Sequence, residues 1–183
     1  MSKKSLIAAV AALALMHGAA FAKSPAELND LEIAHVAYTA DISDIRYAHL
    51  ALAISKDPKV HEFARTMIRD HAAVNDQALA LLQKLKVQPQ DNFFSKQLSE
   101  NADKLVAEMS KLTGKAFDRR YAENELGYHQ AVNKLVEETF IPNIENPEVR
   151  ALFEDALAIF KGHEMHAAEM VKALLQRQSL KQQ

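Results

Sequence analysis

Between Pro58 and Leu85 the apolar residues fall at Val60, Phe63, Ala64, Met67, Val74, Ala78, Leu81, Leu82 and Leu85. Intervals of three and four describe a helix that buries one face, so this stretch must pack against partners of its own kind. Asp57-Pro58 opens it, an Asx cap followed by proline at the first helical position, where the missing N–H costs nothing. At about 100° per residue, His71 falls inside the stripe one turn beyond Met67, and Asp70 stands at its border. Four glycines, no Trp and abundant Ala and Leu favour helix over strand along the rest of the chain.

Three further core segments share the period. The first runs from Asn29 or Asp30 to Ser55, with Ala34, Ala37, Asp41, Ile45, Ala48, Ala51, Leu52 and Ser55 inward and Asp44 on the same side. The short break at Lys56-Asp57-Pro58 predicts an antiparallel hairpin with the next helix. Counting outward from that turn puts Asp44 and His71 at one level. A third core helix is predicted from Lys115 to Phe140, with Asp118, Tyr121, Glu125, Tyr128 and His129 inward. A loop over Ile141 to Asn146 follows, and Asn146-Pro147 opens the fourth helix, whose stripe contains His163 with Glu164 at one edge and His166 mostly outside. Between the second and third lies a polar loop, Lys86 to Asn92, and a shorter periodic segment, Ser95 to Leu112, expected to pack on the outside. One long crossover between two hairpins marks ferritin-like bundles rather than simple up-down ones. The fold expected is therefore all-α, a ferritin-like four-helix bundle with an extra short helix in the crossover.

Lys3 and Lys4, the apolar run Leu6 to Leu15 and Ala20-Phe21-Ala22 predict a secretory signal cleaved after Ala22. Residues 23–183 then form one domain, expected in a bacterial periplasm. The run is too short to span a membrane, and no other stretch approaches about 18 apolar residues. Loss of Lys3 and Lys4 takes the net charge from −2 to −4. Mild acidity without a basic patch argues against nucleic acid and anionic lipid as partners. With no Cys there is no disulfide frame, thiolate ligand, redox thiol or lipidation site, and packing alone holds the fold.

The inward polar residues, one group per core helix, are Asp41 and Asp44, Asp70 and His71, Glu125 and His129, and His163 and Glu164. These types suit iron, zinc, copper or manganese, with nothing soft enough to demand copper(I). Di-iron bundles take a Glu-x-x-His pair from each of two helices. Here Ile68 stands three before His71 and Phe160 three before His163, so the bridging carboxylate pair is missing. The candidate is a mononuclear site of two or three histidines with Asp44 or Glu125, drawn from Asp44, His71, Glu125, His129 and His163. The alternative is a metal-free core in which Asp44, Glu125, Tyr121 and Tyr128 satisfy the imidazoles. His35, His49 and His61 read as border or solvent-facing residues. His163-x-x-His166 is one residue short of the zinc-peptidase pair, and no Gly-rich phosphate loop or glycine-flanked Ser appears, so no catalytic residue is assigned.

Leu50-Ala51 followed by Ser55, Pro58-x-Val60-x-x-Phe63-Ala64-x-x-Met67-Ile68-x-Asp70-His71, Leu112-x-Gly114-x-x-Phe117-Asp118-x-x-Tyr121, and then His129 and His163 together resemble an exported family called domain of unknown function 4142. The resemblance covers nearly all of the chain after the signal. It implies an envelope-associated ferritin-like bundle, often labelled an outer-membrane protein, although no alternation of barrel strands accompanies it here. The family commonly carries Glu where this chain has Asp44, and small residues near Asp41. Its role is undefined, so the resemblance implies no reaction. Two functions go forward: metal handling or stress tolerance in the envelope through a mid-bundle ion, and a metal-free helical module that binds a partner protein or small ligand.

Overall fold

Helix α1 (Asp30–Ile54) starts at a reciprocal cap. Asn29 Oδ1 accepts the N–H groups of Leu31 and Glu32, both at 3.0 Å, and Glu32 Oε2 accepts that of Asn29 at 3.0 Å. Helix α2 (Pro58–Leu85) is capped by Asp57, which accepts the Lys59 N–H at 2.9 Å, and ends where Lys86 turns left-handed at φ 57°. The crossover helix α3 (Phe93–Met109) starts and ends slightly earlier than its periodicity suggested, because Asn92 supplies the cap by accepting from Ser95 N–H. Gly114, at φ 54°, makes the turn into α4 (Gly114–Leu135). The computed structural model describes residues 24–179, with side chains to 176; the predicted export signal and its cleavage point lie outside them.

The third core helix was expected to run to Phe140 and give way to a loop. Instead its last turn, Val136–Phe140, is π-helical, with the Ile141 N–H donating to the Val136 carbonyl. A single helical turn, α5 (Ile141–Asn143), follows. Pro142 explains both: it has no N–H to offer and its ring crowds the carbonyl four residues back, so a regular α-turn cannot continue through it. Asn146 then caps α6 (Pro147–Ser179), accepting from the N–H of Glu148 at 2.9 Å and of Val149 at 3.2 Å.

Helices α1, α2, α6 and α4 close a ring in which each packs on two neighbours, and α3 lies outside against α1 and α4. Phe94 and Leu98 of α3 join the apolar cluster around Ile33 and Val36, whereas Ala102 and Met109 join that around Ala48 and Ala51. The crossover thus runs alongside α1 in the same direction and delivers the chain back to the far end. The all-α expectation holds, with two antiparallel hairpins joined by one crossover. No helix among the described residues is long and apolar enough to cross a membrane.

Two apolar cores fill the two ends of this ring. One gathers Phe63, Met67, Met109, Phe117, Tyr121 and Met170; the other gathers Ile33, Val36, Phe140, Ile144, Phe153 and Leu157. Each fully buried Phe, Met or Ile contributes roughly 1.5–3 kcal/mol. On every core helix a group of inward polar residues falls between the two cores in sequence, apart from the buried Ser55–Asp118 pair at one end. They form a polar layer at mid-bundle.

Candidate metal centre

The four walls each supply part of that layer: Asp41 and Asp44 from α1, His71 from α2, Glu125 and His129 from α4, His163 from α6. Asp44 and Glu125 are 0% exposed, and His71, His129 and His163 are 3%, 2% and 4% exposed. Such burial of five polar side chains requires partners. Each histidine has a hydrogen-bond partner on the side facing away from the other two.

His71 is held through Nδ1 by Asp41 Oδ1 at 2.7 Å, His129 through Nδ1 by its own helix at the Glu125 carbonyl at 2.9 Å, and His163 through Nε2 by Asp70 Oδ2 at 3.0 Å. Of the other ring nitrogens, His129 Nε2 and His163 Nδ1 are buried without a hydrogen-bond partner. Asp44 Oδ2 lies 2.6 Å from His71 Nε2, an ion pair when that ring is charged, and 3.6 Å from His129 Nε2. Ligand atoms of His71, His129 and His163 fall within 4.8 Å of one another, and so do those of Asp44, Glu125 and His129.

The ring centres of the three histidines are 5.7, 5.3 and 5.5 Å apart, close to an equilateral triangle. Ring nitrogens about 2.0–2.1 Å from one ion, at tetrahedral to trigonal angles, set their ring centres about 5.2–5.5 Å apart. The donor set therefore fits a single transition-metal ion. Each imidazole also has the outer partner that fixes a metal-binding ring: a carboxylate for His71 and His163, a backbone carbonyl for His129.

Electrostatics without an ion follow from the same contacts. Burial pushes His71 down, but the carboxylates of Asp44 and Asp41 outweigh it and raise its pKa to about 10. Burial would raise Asp44, yet His71 holds it well below the usual carboxylate range. Burial and the Asp44 charge push Glu125 well above its ordinary value, so it stays protonated while its neighbour is ionised. Burial lowers His129, and lowers His163 to about 4, against the opposing pull of nearby carboxylates. Both are thus neutral and available as ligands, whereas His71, charged below about 10 in the metal-free protein, has to give up its Nε2 proton to join them.

All five residues singled out from the sequence converge here. Two functional neighbours had no assigned role. Asp41 was placed inward and Asp70 at the stripe's border, and both prove to be the carboxylates that orient histidines. Asp70 is itself gripped from the surface by Arg69, at 2.6 and 3.0 Å. The tyrosines offered for a metal-free network do not serve it. Tyr128 donates to the Ala40 carbonyl at 2.9 Å, and the Tyr121 hydroxyl has no partner. His49 is exposed and His35 and His61 half-buried, away from the layer. His166 sets its ring edge-on to Phe63 at 5.1 Å.

A family model described as a domain of unknown function, number 4142, matches residues 15–170. No curated protein and no solved structure matches the chain.

Proposed function

The chain belongs to the domain of unknown function 4142 family, and from the geometry of its polar layer we propose that it binds one transition-metal ion for metal handling or stress tolerance in the cell envelope. One observation carries the reading: three imidazoles meet at mid-bundle, each anchored by one nitrogen, with the other nitrogens of His129 and His163 buried without a hydrogen-bond partner and that of His71 facing the Asp44 carboxylate at 2.6 Å. His71, His129 and His163 would hold the ion, and Asp44 and Glu125, grouped with His129, stand beside them as carboxylates. Nitrogen donors with carboxylate oxygen suit iron, zinc, copper(II) or manganese. The ion would supply Lewis acidity; the chain's own residues orient, desolvate and balance charge. Without the bridging carboxylates of di-iron oxidases, binding and buffering fit better than turnover. The envelope location rests on the leader-like first residues of the sequence.

Elemental analysis of untagged protein, purified from the periplasm without chelator, tests this. Near-stoichiometric metal, lost in a His71→Ala/His129→Ala double variant, is the expected result. A second reading has its own observation: His71 as an imidazolium between Asp41 and Asp44 balances charge with no ion. Metal-free protein whose melting ignores iron, zinc, copper and manganese alike would establish that reading instead.

A further inference from the structure

Below the polar layer, between it and the core around Phe153, the four core helices and α3 leave an apolar chamber of about 380 Å³. We propose that this chamber is a binding site for a single-chain amphiphile whose uncharged head both donates and accepts a hydrogen bond. The inference stands apart from the metal reading and does not depend on it.

Size and shape come first. A cavity of about 150 Å³ takes one benzene, so this one has room for about fifteen non-hydrogen atoms. Its lining includes Asn75 and Leu82 on α2, about 10 Å apart along the helix axis. A chain fits that length better than a compact ring system. Exposed Ala131 and half-buried Ala78 belong to the wall, so the chamber reaches the surface.

The head group is defined by what the wall leaves unpaired. Of its polar residues, Tyr38 is only half-buried, Tyr128 already donates to the Ala40 carbonyl and Asp41 already accepts from His71. Asn75 is only 5% exposed, yet neither its Nδ2 nor its Oδ1 has a partner. A buried carboxamide with both ends unsatisfied is costly, and a ligand that satisfies both is favoured accordingly. An alcohol or an amide offers a donor and an acceptor together. A carboxylate offers acceptors only, and would bring its charge to the end of the chamber where Asp41 stands.

Binding of radiolabelled dodecanol, dodecanoate and dodecane to the purified protein, with and without chelator, tests the site. The expected result is one dodecanol per chain, with about a tenfold preference over both analogues, unchanged by chelation. Asn75→Leu should erase the preference of dodecanol over dodecane. Ala156→Phe, which fills the chamber, should abolish uptake while the protein still melts cooperatively; Ala78→Phe serves if that variant does not fold. No uptake of dodecanol, tighter binding of dodecanoate, or an intact preference in Asn75→Leu would overturn the proposal.

Discussion

Asp41 touches only the far side of His71, yet the site depends on it. Its carboxylate accepts the Nδ1–H and so fixes the ring plane, turning Nε2 toward Asp44 and the other imidazoles. Asp70, on the neighbouring wall α2, holds His163 in the same way, with Arg69 steadying it from outside. Asp41→Asn is therefore expected to weaken metal affinity about 10–100-fold while leaving the fold intact. A competition titration against a chromogenic chelator reads this directly, and unchanged affinity would show that His71 needs no orienting partner. The five candidate ligands were legible in the sequence because each sits at mid-helix within an apolar stripe, where a polar residue is conspicuous. Asp41 was legible as inward too, but not its role, and Asp70 was not, because its border position belongs equally to a solvated surface.

At the scale of the helix, capping chemistry rather than propensity sets the boundaries. Asn29, Asp57 and Asn146 each accept from the first turn of the helix they precede, and all three starts could be read from Asx residues, two of them followed by proline. Asp57→Ala should cost about 1 kcal/mol. A lowered urea midpoint at unchanged slope, with metal content preserved, is the expected signature; a parallel loss of metal would mean that the cap also positions the site. The end of the third core helix was less legible. Periodicity reports which face is buried, and it persists through Val136 and Phe140 even though the backbone there has widened to a π-turn ahead of Pro142. Helix α1 hides its amphipathic character for another reason: its buried face carries Glu32, Asp41, Ser43 and Asp44 among the apolar residues.

Across the whole molecule, the polar layer divides one apolar interior into two, and its charges make metal-free stability depend on pH. His71 titrates near 10 in the folded protein and near its ordinary 6.5 when unfolded, so the stability it contributes is full below 6.5 and is lost as pH rises toward 10. Glu125, whose folded pKa is also raised, pushes in the same direction. His163, lowered to about 4, acts oppositely and only below 6.5, where stability falls as pH drops. Chelated protein should therefore show a urea midpoint that declines between pH 6.5 and 9, by no more than about 1.4 kcal/mol per pH unit for His71. His71→Gln should flatten that decline; an identical slope in the variant would remove His71 as its source. The donor set is also split between two hairpins, Asp44 and His71 on one and Glu125, His129 and His163 on the other. Neither half alone presents more than a fragment of it, so the proposed ion capture would have to follow docking of the hairpins. A chain that crosses a membrane unfolded would leave its first compartment empty-handed, and the ion it keeps would be decided by where it folds rather than by which metal the site holds most tightly.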